Sequence, residues 1–279
     1  MILITNDAQL RSYVPNALVT VTGEMSLYDK MRADLALSEQ WLTIHFVDVS
    51  LLGKIALEKE HSEATNICCR AVVADALLRA IPSLDLVLTP NGFGIVSNQN
   101  IAPASKDRVD RLLSNLELVR DRSLQQLLYL LPKAATSEWL QSEAGKYFAA
   151  TLFPYLDLPS LLGYTDKLWE RYQQYWAQLK LIEAELADKF ISSELYARLR
   201  QRFIEDSCDI VELDLVNRLR AIELALLKGK QLDVPALHAI VTYIRKNPAD
   251  FPEWAASETA THFSDQSFHN SKQSGGYWF

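Results

Sequence analysis

Apolar residues recur at three- and four-residue steps along most of the chain, most clearly over residues 165–190, TDKLWERYQQYWAQLKLIEAELADKF. Leu168, Tyr172, Tyr175, Leu179, Ile182, Leu186 and Phe190 fall on one helical face, with Trp169 and Trp176 beside them. The stripe reads as a core-facing surface, and Thr165, following the breaker Gly163, is the expected N-cap. The same period runs through 105–131 (Val109, Leu112, Leu116, Val119, Leu127, Leu131) and 61–81 (Ile67, Ala71, Ala74, Leu78, Ile81). Further helices are expected at 25–46, 137–151, 192–206, 209–228 and 234–246.

One stretch breaks the pattern. LDLVLT (84–89) is a short apolar run, Pro90-Asn91-Gly92 is turn chemistry, and FGIVSN (93–98) resumes with β-branched residues. Asn-Gly favours the positive φ angles of a tight hairpin, and Gly94 suggests a bulge or a close backbone approach. The Asn-Gly-Phe-Gly sequence lacks the third glycine, the following helix and the Gly-Lys-Ser/Thr ending of phosphate-binding loops, so it reads as a turn and not a phosphate cradle. The expected fold is therefore mainly α: a helical-bundle body with one β-hairpin insertion at about residues 84–98 and an extended C-terminal tail.

Leu-Arg-Ala-Ile occurs at 78–81 and again at 219–222, which suggests a two-unit helical duplication. The division that follows is an N-terminal helical unit (1–151), a Pro-containing joint LFPYLDLPSLLG (152–163), a C-terminal helical unit (164–263) and a tail (264–279).

Length and composition narrow the class. A chain of 279 residues buries a sizeable core in one domain or two. Nine glycines are few for an architecture rich in β-turns. Cys68, Cys69 and Cys208 cannot form an even disulfide set and show no Cys-x-x-Cys spacing, which fits a reducing compartment. The apolar start MILI is too short for a signal peptide, and no window approaches the ~18–20 apolar residues of a membrane span, so a soluble cytosolic protein is expected. A formal charge of −7, from 28 Lys+Arg against 35 Asp+Glu, argues against nucleic acid as the principal partner.

Candidate chemistry is sparse. Five histidines are scattered, and Glu58-Lys-Glu-His61 is a single Glu-x-x-His where a di-iron bundle needs two. His61 and Cys68 lie ~10 Å apart along one helix, too far for a nucleophile and its base. Cys68 and Cys69 read as small core residues. The acidic set Glu205, Asp206, Asp209, Glu212 and Asp214 lacks the spacing of a calcium loop and reads as the cap of the helix near 209. No catalytic, cofactor-binding or metal-ligating residue is assigned, and the chain is read as a non-enzyme.

The C-terminus differs in kind: the polar segment SDQSFHNSKQSGG ends in Tyr277-Trp278-Phe279. Disordered segments usually lack aromatics, so this one reads as a segment that docks, either on its own body or on a neighbouring subunit or partner, with plain disorder as the remaining alternative. The interface candidates are Asn91, Gly92, Phe93 and Gly94 in the turn, and Phe268, Tyr277, Trp278 and Phe279 in the tail.

The blocks LDLVLTPNGFGIVSNQNIAPASKDRVDRL (84–112), DKFISSELYARL (188–199) and FPEWAASETATHF with FHNSKQSGGYWF together resemble an uncharacterised family encoded in phage and prophage structural-gene clusters of anaerobic gut bacteria. This resemblance implies a virion component, a head–tail connector or neck adaptor whose subunits form a ring. It implies as partners other copies of the chain and portal or tail proteins, with residence in the bacterial host cytoplasm during assembly and then in the virion. No membrane and no sequence-specific nucleic acid are expected, and no cofactor. The alternative is a monomeric helical binding or assembly-chaperone module for another phage protein.

Overall fold

The computed structural model describes residues 2–14, 25–57, 63–84, 86–89, 92–95, 105–134 and 136–263. In chain order the helices are α1 (Asp7–Tyr13), α2 (Leu27–Leu42), α3 (Val49–Leu57), α4 (Glu63–Ala80), α5 (Lys106–Ala134), α6 (Thr136–Gln141) and α7 (Glu143–Ala149), followed by α8 (Leu158–Leu162), α9 (Leu168–Leu186), α10 (Ser193–Ile204), α11 (Ile210–Leu227), α12 (Val234–Lys246), α13 (Pro252–Ala255) and α14 (Glu258–Thr261). The long periodic runs of the sequence all appear here as helices, because each carries a stripe that must be buried against a neighbour. The most extensive helix–helix packing is between α4 and α5 and between α2 and α4.

The expectation of a β-hairpin insertion at about 84–98 is corrected: the architecture of the described body is all-helical. Between α4 and α5 the chain forms only a ladder of four residue pairs, Leu86↔Ile95 to Thr89↔Gly92, with no sheet layer and no broad helix packing against it among the described residues. Two strands this short cannot stand as an independent element. Residues 96–98 and the tail 264–279 lie outside the described residues.

The expected cap Thr165 is also corrected. Helix α9 begins at Leu168 after Lys167, which adopts a left-handed conformation (φ 50°) and gives no side-chain cap. The Leu168 N–H instead donates to Asp121 Oδ2 of α5 at 2.7 Å. A carboxylate distant in sequence satisfies an orphan amide that a local hydroxyl was expected to satisfy. By contrast, α11 starts as expected, with a reciprocal capping box between Asp209 and Glu212.

The buried side chains form one continuous cluster from Leu3 to Trp254. Residues 152–158, read from sequence as part of a joint, contribute Leu152, Phe153, Tyr155, Leu156 and Leu158 to it. Cys68 and Cys69 lie within it, on α4.

A helix–π-turn–helix arrangement occurs twice, although Leu-Arg-Ala-Ile does not mark it: the first copy of that tetrapeptide runs off the end of α4 and the second lies inside α11. The equivalent segments are TIHFVDVSLLGKI (43–55) and ADKFISSELYARL (187–199). In each, a long helix ends in a five-residue π turn, Thr43–Val47 after α2 and Ala187–Ile191 after α9. The turn is closed by Asp48 N–H to Thr43 O (3.0 Å) and by Ser192 N–H to Ala187 O (2.9 Å). Asp48 (φ 83°, ψ 150°) and Ser192 (φ 76°, ψ 146°) share a backbone region that disfavours a side chain. Each offers its side-chain oxygen to an amide of the next helix, that of Ser50 or Leu195. Val47 and Ile191, Leu51 and Leu195, Leu52 and Tyr196, and Ile55 and Leu199 then occupy matching buried positions.

Close packing at the α6–α7 corner generates a prediction. Trp139 is fully buried and donates its indole N–H to Phe46 O at 2.7 Å. A Cβ on Gly145 would overlap the Trp139 carbonyl, a backbone atom that cannot rotate away. Gly145→Ala is expected to destabilise the protein by about 1–3 kcal/mol in urea unfolding, the usual cost of overpacking.

Candidate interaction groove and buried polar clusters

Three arrangements stand out from the packed helices, and their chemistry differs. The first is a surface groove between α11 and α12. The second and third are polar clusters within the core.

The groove exists because α11 is apolar on more than its core face. Leu215, Val216, Leu219 and Ile222 are buried, yet Ile210 is 88% exposed and Leu213 is also exposed. Helix α12 has Asp233 as N-cap, whose carboxylate accepts from Ala236 N, and Pro235 in its first turn. It lies along α11 and leaves two adjoining pockets of about 250 and 310 Å³. Arg218 and Ile240 line both. One end holds Ile210, Val211 and Tyr243, and the other is lined by alanines 221, 225, 236 and 239. Asp214 pairs with Arg218 at 2.8 Å, and both are mostly exposed. Leu213, Val234 and Tyr243 add exposed apolar surface on the same two helices.

The second arrangement centres on Arg120, which is buried at the middle of α5. Its guanidinium reaches Asp121 (2.9 Å), Glu170 (2.8 Å) and Asp75 (3.6 Å). Asp75 also accepts from Ser38 Oγ at 2.7 Å and pairs with Arg79 at 2.7 Å. Arg120 lies 5.8 Å from the Trp41 ring centroid. Helices α2, α4, α5 and α9 thus meet at one cation.

The third is a carboxylate pair in the C-terminal half. Glu183 Oε1 accepts from Leu152 N–H at 2.6 Å, and its Oε2 accepts from Arg200 at 3.1 Å. Glu223 Oε1 accepts from the Tyr196 hydroxyl at 3.0 Å, while its Oε2 has no partner. Burial lifts Glu183 to about 7, against the pull of the Leu152 amide and Arg200. Burial, with Glu183 nearby, lifts Glu223 well above the ordinary carboxylate range. Burial therefore biases Glu223 toward its protonated form, while Glu183, opposite Arg200, titrates close to neutrality. Both are covered by protein, so neither is placed to exchange a proton with a substrate.

Of the residues singled out from sequence, Gly92, Phe93 and Gly94 lie on the second strand of the short ladder, paired with Thr89, Leu88 and Val87. Asn91, Phe268, Tyr277, Trp278 and Phe279 lie outside the described residues, as do Glu58 to His61. Burial raises the Cys68 thiol and lowers His45, which sits between the rings of Trp41 and Trp169. Among the described residues no three His, Cys, Asp or Glu side chains gather as metal ligands, and no helix is long and apolar enough to cross a membrane. The groove was missed from sequence, though its signal was there. In IVELDLVNRLRAIELALL apolar residues fall on nearly every side, more than one core contact requires.

The family described as a family of unknown function, DUF6712, matches residues 18–149 and 235–264, and the chain belongs to it. No curated protein and no solved structure matches the chain.

Two predictions follow from the clusters. Arg120→Met leaves Asp121 buried without its cation, while Asp75 keeps Arg79, and is expected to destabilise by about 3–5 kcal/mol in urea unfolding. Lys133→Met, which removes a pair with Asp206 on the open surface, is expected to leave the midpoint unchanged. For the carboxylate pair, the fold binds more protons than the unfolded chain between the ordinary value of 4.5 and about 7. Their contribution to stability is therefore fully present below about 4.5 and falls as pH rises, that of Glu183 being lost through about 7 and that of Glu223 falling in the same direction. Urea midpoints across this range are expected to show that fall, and the Glu183→Gln/Glu223→Gln double variant a flatter dependence.

Proposed function

We propose that this member of the DUF6712 family is a non-enzymatic structural component of a virion, a head–tail connector or neck subunit that assembles as a ring. The observation that carries the reading is the apolar exposure on α11 and α12, where Leu213 and Val234 stand exposed outside the groove and Ile210 and Tyr243 line one end of it. Grouped apolar exposure marks protein–protein contact surfaces, whereas single exposed apolar residues need no explanation. The resemblance of residues 84–112, 188–199 and the C-terminal blocks to phage structural proteins supplies the setting.

A subunit that offers this surface to a different patch on the next copy makes a heterologous contact, which closes into a ring when the rotation permits. The surplus of acidic over basic residues suits a ring around a DNA path, because a basic lumen would hold the phosphates. The charged clusters act inside the subunit, where Arg120 ties four helices together.

The test is the mass of the full chain in solution, read by light scattering over a range of concentrations. The expected result is an oligomer that dissociates on dilution and is lost in the Leu213→Glu/Val234→Glu double variant. That variant should keep the parent helical circular dichroism, since both positions are exposed. A monomer at every concentration would overturn self-assembly and leave the monomeric binding or chaperone module as the reading to pursue.

A further inference from the structure

We propose that the groove between α11 and α12 is the docking site for the aromatic end of the chain's own C-terminal segment, Tyr277-Trp278-Phe279.

The groove is suited to aromatic rings. Small side chains at 221, 225, 236 and 239 leave one end open, and Tyr243 and Ile210 offer apolar walls at the other. Its charged residues, Asp214, Arg218 and Asp233, are all exposed, and Asp214 already neutralises Arg218. The groove therefore asks for apolar surface and not for a counter-ion, and aromatic side chains bury the most such surface per residue.

The segment has complementary composition. In SDQSFHNSKQSGGYWF one acid, Asp265, offsets one base, Lys272, and Gly275-Gly276 precedes the three aromatics. Its polar spacer has nothing of its own to bury the rings against.

Connectivity selects the chain's own tail over a neighbour's. The last described residue, Phe263, packs against Trp254 with ring centroids 6.2 Å apart. Trp254 lies on the helical turn that Phe251 begins, and Phe251 packs against Tyr243 at 6.1 Å. Tyr243 is a wall of the groove. The root of the segment is thus two ring contacts and one turn of helix from the site. The residues between Phe263 and Tyr277 can span roughly 45 Å when extended. A tether with that much slack holds its end near the site at an effective concentration in the mM range, above that of any neighbour in dilute solution.

The test is disulfide formation in the full chain. In a Cys208→Ser background, Gly276→Cys is paired with Ala239→Cys in the groove, or with Leu181→Cys, which is an exposed position on α9. Under mild oxidant at low protein concentration, the groove pair is expected to close within one chain at least tenfold faster than the control pair. Adding Tyr277→Ser and Trp278→Ser is expected to abolish that advantage. Equal rates for the two pairs, or linkage between chains in place of closure within one, would overturn the proposal. The inference goes beyond the ring reading and does not depend on it: crosslinking reads where the segment sits and light scattering reads assembly, so each can fail alone.

Discussion

Glu39 and Glu183 set the constraint on which both halves of this protein depend. Each lies in a long helix, four residues ahead of a π turn, and each is buried. Glu39 accepts the main-chain N–H groups of Ile2 and Leu3, and Glu183 accepts that of Leu152. A non-helical segment drawn into an apolar core brings amides that have no helix to satisfy them. A carboxylate aimed from the adjacent helix meets that need and fixes the segment's position at the same time. The π turn and its positive-φ residue then turn the chain into the following helix, so the pinned segment, helix, turn and next helix form one repeated unit.

The two copies have diverged at their charged groups. In the N-terminal half, Asp75 on α4 is linked to Arg79, Arg120 and Ser38, so its buried charge is compensated within a network. In the C-terminal half, Glu223 on α11 accepts from a tyrosine hydroxyl beside a second glutamate, and burial raises its pKa well above the ordinary carboxylate range despite the pull of Arg220 and Arg200. The outer faces differ as well. Helix α5 covers α4 along much of its length, whereas the shorter α12 leaves part of α11 open. The unused apolar surface of the second copy is what becomes the groove.

Helix–π-turn–helix units packed into one core give a rigid body, and such a body places its exposed apolar surface at a defined angle. That is what a ring subunit requires, since closure depends on a fixed rotation between neighbours. An aromatic segment seated in the groove would extend the same surface. The buried polar clusters serve this rigidity: charges and donors that must be satisfied together admit few alternative packings.

Helix positions, the Asp209 cap and the burial of Cys68 and Cys69 were legible in the sequence, because three- and four-residue periodicity and local capping are properties of short windows. The repeat was legible only faintly. Its true match, Phe46-Val47-Asp48 with Phe190-Ile191-Ser192, shares one identity, and the common feature is a backbone conformation that several residues tolerate. The short apolar runs at 84–98 suggested a hairpin element, but turn chemistry sets local conformation and cannot say whether a sheet layer forms against the body. What only the tertiary structure decided is which long-range groups answer which: Asp121 capping α9, Arg120 joining four helices, and α12 stopping short of covering α11. Each depends on distances between residues tens of positions apart, and no local pattern along the chain encodes those distances.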